Sequence, residues 1–324
     1  MSNTINEIKK SILKELNEFE IYYKNSLKNN IKIINILMNF IYRKKGKQIR
    51  PMLVLLSAGI HGNINKSTYL AATMIELLHT ATLIHDDIVD NSFERRGFFS
   101  LNALWKNKFA VLIGDYLLSR GLLLSLENNE YETLKIISRA VKEMSEGELL
   151  QLKSKSKIHL TEDDYYEIAK KKTASFFAAC CASGAKSTTN DEDTINKMWK
   201  IGELIGIAFQ IKDDLLDFNE SKITGKSTRI DLKNKRLTLP IIYTLEKSTL
   251  TERKLIFKYL KNLSTQNYNK LIDLINQKRG LEYTIERMND FKNTALNLLN
   301  SCFSSNEYTK SFSLLANYII NREK

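Results

Sequence analysis

Two copies of one aspartate pattern are the sharpest chemical feature of this sequence. The first, HDDIVD, begins at position 85, and the second, KDDLLD, begins at position 212. Each lies in an apolar stretch with helical period, so residues four apart project from one face about 6 Å from each other. Asp86 and Asp90 are therefore one pair of neighbouring carboxylates, and Asp213 and Asp217 are the other.

Such pairs predict a bound cation. Carboxylates that repel one another destabilise an apolar helix unless positive charge offsets them. Hard oxygen ligands on a rigid helix suit Mg²⁺, which keeps several waters and shares phosphate oxygens of a substrate. The alternative is a solvated helix face with acids at chance spacing. That alternative fits poorly with two copies in apolar surroundings.

Helices are the elements that must position these carboxylates. In the first segment Ile8, Ile12, Leu16 and Phe19 form an amphipathic stripe, and most of the chain has the same period. Alternating strand patterns are lacking. With only 2 Pro and 12 Gly and no linker-like stretch, the sequence predicts an all-α fold with a single domain over residues 1–324.

Composition limits the function classes. The 324 residues are 43% hydrophobic and 27% charged, which is typical of a globular protein. The amino terminus has no secretory pattern, and uninterrupted apolar runs are too short to span a bilayer. The three cysteines (Cys180, Cys181 and Cys302) have no metal-binding spacing. We expect a cytoplasmic protein without a transmembrane segment, with transient membrane contact for product release.

The net charge of +12 allows three readings. They are a lysine-rich composition without function, an anionic small substrate, and nucleic-acid binding. The lysines are scattered along the chain and no nucleic-acid-binding motif accompanies them. We therefore expect no nucleic acid as a partner, and a phosphate-rich substrate as a contributor to the charge.

The ordered motifs of the chain resemble the trans-prenyltransferases, the polyprenyl diphosphate synthase family, and most of all its octaprenyl-type members. The motifs are GKQIRP (46–51), ELLHTATLIHDDIVD (76–90), RRG (95–97), NALWKNKFAVLIGDYLLSR (102–120), EGELLQL (146–152), KKTASFF (171–177), FQIKDDLLD (209–217), TGK (224–226) and DLKNKRLTLP (231–240). The resemblance implies a helical bundle around a deep central cavity, a homodimer, and condensation of isopentenyl diphosphate with an allylic diphosphate primer. It also implies Mg²⁺, with three ions bound beside the allylic diphosphate.

The resemblance also implies roles for individual residues. The Mg²⁺ ligands are Asp86, Asp90 and Asp213, supported by Asp87, Asp214 and Asp217. Isopentenyl diphosphate is bound by Gly46, Lys47, Arg50, His79 and Arg96. The allylic side is served by Arg95, Lys172, Thr173, Gln210 and Lys226, with Thr173 and Gln210 steadying an allylic cation. Where the family shows Gly-Lys this chain has Lys235-Arg236, so Arg236 replaces the lysine.

Product length depends on the helix that carries the first motif. A growing tail runs away from the diphosphate along that helix, so Ala81 and Thr82, with Leu78 a further turn away, line its path. Small residues here predict a cavity that stays open to an octaprenyl-like product, a precursor of quinone side chains. Small residues in a core helix also simply permit close packing, so this alternative stays open.

Other functions compete with this interpretation. A class I terpene cyclase also has an aspartate-rich helix, but its second metal motif is of another type. A shorter-chain farnesyl or geranylgeranyl diphosphate synthase shares the chemistry. A non-catalytic subunit of a heteromeric synthase belongs to another class, and such subunits lose aspartates or cations that this chain retains. The interpretation as a helical nucleic-acid-binding protein rests on the net charge alone.

Overall fold

A computed structural model describes residues 2–43, 46–89, 94–95, 98–99, 101–154, 160–218 and 237–322. Four predicted site residues lie outside these ranges: Asp90, Arg96, Lys226 and Arg236. For Arg95 the description covers the backbone and not the side chain.

The all-α prediction is confirmed. The helices are α1 Ser2–Lys10, α2 Leu13–Ser26, α3 Lys32–Arg43, α4 Ile49–His61, α5 Lys66–Val89, α6 Leu101–Glu127, α7 Tyr131–Ser154, α8 Glu162–Ala169, α9 Ser175–Lys186, α10 Glu192–Leu216, α11 Leu239–Glu246, α12 Leu250–Lys261, α13 Thr265–Gln277, α14 Gly280–Cys302 and α15 Glu307–Ile320. A π-helical turn, Lys170–Ala174, joins α8 to α9. Two short strands, β1 Glu94–Arg95 and β2 Phe98–Phe99, pair antiparallel.

Local signals in the sequence begin several of these helices. Thr161 caps α8 by accepting a hydrogen bond from the backbone N–H of Asp164, whose side chain accepts one from the N–H of Thr161. Thr249 and Glu252 form the same reciprocal capping box at α12. Each box satisfies N–H groups that a helix start leaves without a partner, which fixes where the helix begins.

The chain divides into two compact units. The first comprises Met1–Arg139, Ala179–Met198 and Phe303–Leu315, and the second comprises Ala140–Ala178, Trp199–Cys302 and Ala316–Lys324. The single domain over residues 1–324 stays a prediction.

In the first unit α5 packs between α4 and α6. Every residue from Pro51 to Gly59 in α4 is buried, so this helix is part of the core. A Cβ added to Gly184 would lie 2.3 Å from the carbonyl oxygen of Val54. Gly184 therefore lets α9 approach the backbone of α4 closely.

In the second unit α11 to α14 enclose an apolar cluster. Its buried members are Phe218, Ile241, Ile256, Leu260, Tyr268, Leu271 and Ile275. Phe218 follows the second aspartate motif directly. Its burial in this cluster anchors the chain at the end of that motif.

Within the described ranges, one stretch of α6, Asn107–Glu127, is long and apolar enough to span a bilayer by length and composition alone. Asp115 and Arg120 interrupt this stretch, which is why the uninterrupted apolar runs of the sequence are shorter. The same stretch packs along α5, and core helices of soluble proteins pass the same test.

Candidate active site

The second aspartate motif lies at the end of α10. Asp213 and Asp214 occupy the last turn of the helix, and Asp217 lies in the turn that follows it. Their environments differ, because the Asp213 side chain is 42% exposed while Asp214 as a residue is only 3% exposed. Adjacent carboxylates on one helix therefore differ in their access to solvent.

Both carboxylate oxygens of Asp214 accept hydrogen bonds inside the second unit. The Tyr165 hydroxyl donates to Oδ2 at 2.6 Å, and the Gln210 amide nitrogen donates to Oδ1 at 2.9 Å. Tyr165 comes from α8 and is 6% exposed. A buried carboxylate needs such partners to offset the loss of hydration. Asp214 is thus held within the protein, whereas Asp213 is accessible to a cation.

Thr173 and Gln210, which the resemblance assigns to the allylic side, contact each other. The Thr173 hydroxyl donates to the side-chain carbonyl oxygen of Gln210 at 2.6 Å. Gln210 in turn binds Asp214, so four side chains (Tyr165, Asp214, Gln210 and Thr173) form one hydrogen-bonded chain from α8 through α10 to the π turn.

The π turn presents Lys172 and Thr173. A π turn inserts one extra residue into a helix and changes the direction of its side chains, and such turns are frequent at functional sites. Two glycines let neighbouring helices approach it. A Cβ on Gly147 of α7 would lie 2.5 Å from the backbone nitrogen of Lys172, and one on Gly206 of α10 would lie 2.5 Å from the Cα of Ala174.

Lys172 is held by two residues of the EGELLQL motif. Its ammonium group forms an ion pair with Glu148 and donates a hydrogen bond to Gln151. The neighbouring Lys171 donates to Glu146 at 3.0 Å, and this hydrogen bond raises the pKa of Lys171 above its usual value. Two consecutive lysines of the turn are therefore anchored on α7, with Lys172 partly exposed.

A cation already contacts Asp213. The guanidinium group of Arg322 forms an ion pair with the Asp213 carboxylate and lies 4.0 Å over the ring of Phe209. Phe209 also packs against Phe177, with ring centroids 4.8 Å apart. Asp213 thus offers an oxygen ligand to positive charge beside an aromatic surface.

The described part of the first aspartate motif, residues 85–89, lies in the first unit at the end of α5. Asp86 is exposed and Asp87 is 7% exposed, which repeats the contrast seen in the second motif. The preceding His85 lies 3.3 Å from the carbonyl oxygen of Val111 and 3.6 Å from the carboxylate of Asp115, both on α6. A Cβ on Gly114 would lie 2.0 Å from the His85 ring. Gly114 is therefore the residue that makes room for His85.

Gly46, Lys47 and Arg50 meet at the start of α4. Gly46 and Lys47 are exposed, and Gln48 precedes the helix with a left-handed backbone at φ 58°. No side chain caps this helix end. Uncapped N–H groups and the positive end of the helix dipole attract anions, and adjacent cations strengthen that attraction. This helix start is suited to a phosphate group.

His79, which is assigned to isopentenyl diphosphate, and the residues assigned to chain length lie on α5. Leu78, His79 and Thr82 are half-buried, and Ala81 is fully buried. The Thr82 hydroxyl donates to the carbonyl oxygen of His79 at 3.0 Å, a hydrogen bond within the helix. Their roles in binding and in product length stay predictions.

The residues present fit Mg²⁺. Among the described residues no three His, Cys, Asp or Glu side chains converge as a ready-made metal site. Mg²⁺ ordinarily binds one or two carboxylates and completes its shell with waters and substrate phosphates. Asp86 and Asp213 offer exposed carboxylates of that kind, and the guanidinium at Asp213 stands where positive charge is favoured.

Sequence reasoning missed Tyr165, Arg322, Glu148 and Gln151. The last two belong to EGELLQL, a motif that carried the resemblance without an assigned role. Tyr165 offered one weak signal, because a tyrosine on the buried face of a helix needs a partner for its hydroxyl. Nothing in the sequence around Arg322 indicates its contact with Asp213, 109 residues away.

Comparisons with known proteins show the family of this chain. The family described as polyprenyl synthetase matches residues 31–276. A geranylgeranyl diphosphate synthase of Saccharolobus solfataricus is 29% identical over 320 residues, covering 95% of this chain and 96% of that protein. Octaprenyl diphosphate synthase of Escherichia coli is 30% identical, covering 83% and 84%. Heptaprenyl diphosphate synthase component 2 of Bacillus subtilis is 32% identical, covering 86% and 79%.

Solved structures show the same fold. A polyprenyl synthase from Caulobacter crescentus, complexed with calcium and isoprenyl diphosphate, is 28% identical with a TM-score of 0.88, covering 99% of this chain and 98% of that one. A decaprenyl diphosphate synthase from Rhodobacter capsulatus is 29% identical with a TM-score of 0.90, covering 99% of each chain. Fold, motifs and relatives together show that the chain belongs to the polyprenyl synthetase family of prenyl diphosphate synthases.

Proposed function

We propose that this chain joins isopentenyl diphosphate to an allylic diphosphate by 1′-4 trans condensation, repeated to a long polyprenyl diphosphate. The observation that carries this proposal is the cluster of Lys172, Thr173, Gln210 and Asp213 in the second unit. It combines a cation for a diphosphate, oxygen dipoles for an allylic cation and a carboxylate for a metal. The calcium and isoprenyl diphosphate bound by the Caulobacter relative support the same ligand class.

Asp86, Asp90 and Asp213 would hold Mg²⁺, in a set of three ions beside the allylic diphosphate. When bound, the metal supplies positive charge that offsets the leaving diphosphate as the C–O bond breaks. Lys172 exchanges its Glu148 partner for a diphosphate oxygen. Thr173 directs its oxygen at the allylic carbon, and the rings of Phe209 and Phe177 exclude water. No protein nucleophile is needed.

Isopentenyl diphosphate would bind at the start of α4. Lys47 and Arg50 flank the uncapped helix end there, and His79 and Arg96 complete the predicted set. Lys47→Ala or Arg50→Ala should remove a charge-assisted contact of about 1.5–3 kcal/mol, which is about 10- to 100-fold in KM for isopentenyl diphosphate. KM for the primer should change little. Equal effects on both substrates would contradict this assignment.

The product would be octaprenyl-like. Relatives of similar identity are named for products from geranylgeranyl to decaprenyl diphosphate, so the supporting observation is the small residue Ala81 before the first motif. A shorter-chain synthase is the second candidate. Products that stop at farnesyl or geranylgeranyl diphosphate with excess isopentenyl diphosphate would favour it.

The active protein would be a homodimer in the cytoplasm. The outer face of α6 carries exposed apolar side chains, with Leu112 56%, Leu122 49% and Leu126 49% exposed. Large exposed apolar faces mark interfaces. Leu122→Lys should yield a monomer in light scattering, with Leu250→Lys, a leucine of another helix that is 77% exposed, as the control. A heteromeric assembly is the alternative, favoured by the Bacillus relative named as a component.

One assay tests the activity itself. The purified chain is incubated with Mg²⁺, radiolabelled isopentenyl diphosphate and, separately, geranyl, farnesyl and geranylgeranyl diphosphate. Chromatography of dephosphorylated products then gives the chain length. We expect extension that EDTA abolishes. An isolated chain that extends no primer would contradict the proposal and favour a subunit that needs a partner.

A further inference from the structure

The hydrogen-bonded chain from Tyr165 to Thr173 has a fixed direction. The Tyr165 hydroxyl can only donate to the Asp214 carboxylate, and the Gln210 amide nitrogen donates to its other oxygen. Because an ionised carboxylate only accepts hydrogen bonds, the Gln210 side chain must turn its amide nitrogen toward Asp214. The Gln210 carbonyl oxygen then faces Thr173 and accepts the Thr173 proton.

The direction of these hydrogen bonds determines whether Thr173 offers a proton or oxygen lone pairs to a bound substrate. Its only hydroxyl proton is directed at Gln210, at an oxygen–oxygen distance of 2.6 Å, so its oxygen offers lone pairs elsewhere. An oxygen dipole with its negative end outward stabilises a positive charge. The reversed dipole would place a proton toward that charge and destabilise it.

We propose that Asp214 and Tyr165 are positioning residues that set the polarity of the Thr173 hydroxyl, and that Asp214 is not a metal ligand. The inference rests on the proposed function, because it concerns the allylic cation of that reaction. Asp214 is 3% exposed and Tyr165 is 6% exposed, so solvent does not compete for these hydrogen bonds. Asp213, one residue earlier, has the exposure that a metal ligand requires.

Tyr165 has its own support. Its ring packs edge-on against Tyr166, with centroids 5.5 Å apart. The Tyr166 hydroxyl donates to Glu162 at 2.8 Å, and the Tyr283 hydroxyl donates to the same carboxylate. This network fixes α8 at the point where Tyr165 reaches Asp214. Without the Tyr165 hydroxyl, one Asp214 oxygen would be buried without this donor, and the carboxylate would no longer be fixed in one orientation.

The test compares Asp214→Asn, Tyr165→Phe and Asp213→Asn in the full chain. An asparagine at 214 keeps one acceptor oxygen in place of two, so it no longer holds the Gln210 amide in one orientation. With the asparagine nitrogen toward Gln210, that amide turns over and the Thr173 dipole reverses. We expect kcat of Asp214→Asn to fall about 10- to 100-fold, with KM for both substrates nearly unchanged. Tyr165→Phe should act in the same direction, with a loss of about three- to tenfold. The double variant should be no worse than Asp214→Asn, since both act through one chain.

Two further readouts separate positioning from a structural or metal role. The first is the ratio of prenyl alcohol to prenyl diphosphate, because a less stabilised cation is captured by solvent. In that side reaction water forms the new C–O bond, its proton goes to solvent and diphosphate leaves. The ratio should rise in Asp214→Asn. The second is calorimetric titration of Mg²⁺ with inorganic diphosphate, which should change by less than about twofold in Asp214→Asn and weaken strongly in Asp213→Asn.

Tyr131→Phe is the control, because it removes a hydroxyl from an exposed tyrosine outside the chain and outside the network that supports Tyr165. Its kcat and alcohol ratio should match wild type. Wild type that fails to condense would overturn the proposed function and this inference with it. The inference alone would be overturned by two results, each with an active wild type. The first is full kcat in folded Asp214→Asn and Tyr165→Phe. The second is loss of Mg²⁺–diphosphate binding in Asp214→Asn.

Discussion

Replacement of Gly147 by alanine tests the close approach of α7 to the π turn. The added Cβ would lie 2.5 Å from the nitrogen of Lys172, 2.8 Å from its Cα and 3.0 Å from the carbonyl carbon of Lys171. Because all three atoms are backbone, no side chain can rotate away. Non-bonded carbon atoms normally stay about 3.5–4.0 Å apart, so the turn must move by about 1 Å.

Two effects on stability oppose each other. Overpacking of this kind destabilises by about 1–3 kcal/mol, and alanine in place of glycine within a helix stabilises by about 0.8–1.0 kcal/mol. The net loss is therefore about 0–2 kcal/mol. Activity should fall much further than stability, because Lys172 and Thr173 move with the turn and a displacement near 1 Å can lower a rate by about a hundredfold.

The assay pairs thermal unfolding, followed by circular dichroism, with kcat at saturating substrates. Gly121→Ala is the control, since Gly121 is also within a helix and has nothing within 4 Å of its added Cβ. It should gain about 0.5–1 kcal/mol of stability with kcat unchanged, and light scattering checks its oligomeric state. Wild-type Tm and kcat in Gly147→Ala would refute the reasoning.

Further variants test other parts of the site. Asp86→Ala and Asp213→Ala should each lower turnover by orders of magnitude with helical content kept in circular dichroism, and normal Mg²⁺-dependent activity in Asp213→Ala would exclude the two-motif mechanism. Ala81→Phe should shorten the product seen by chromatography while the first condensation stays fast; an unshifted product profile would disprove the chain-length assignment. Arg322→Gln should strengthen Mg²⁺–diphosphate binding in calorimetry by up to about fivefold, because it removes a competing cation from Asp213; weaker binding would mean that Arg322 assists the metal. Burial lowers the pKa of His61 to about 4. In the unfolded chain His61 has its ordinary pKa of about 6.5 and binds a proton first, so the free energy of unfolding falls as the pH drops from about 6.5 toward 4. The Tm of His61→Gln should therefore fall less than that of wild type between about pH 7.5 and pH 5.

The sequence by itself determined the helical fold and the chemical class of the site. Helical period and the scarcity of Pro and Gly predicted an all-α chain, and capping pairs such as Thr161 with Asp164 show how local these signals are. The four-residue spacing of Asp86 and Asp90 predicted paired carboxylates, because residues four apart in the sequence lie on the same face of a helix. Motif order predicted the family.

Only the tertiary structure decided which of these residues act together. Asp213 and Asp214 are adjacent and identical in type, yet one is accessible and the other is buried against Tyr165, which is 49 residues away. The contact between Asp213 and Arg322 spans 109 residues. Local period cannot encode such pairs, because they arise when helices pack and bring distant positions together. Burial then leaves one of two adjacent aspartates accessible, where Arg322 contacts it, and encloses the other between Tyr165 and Gln210.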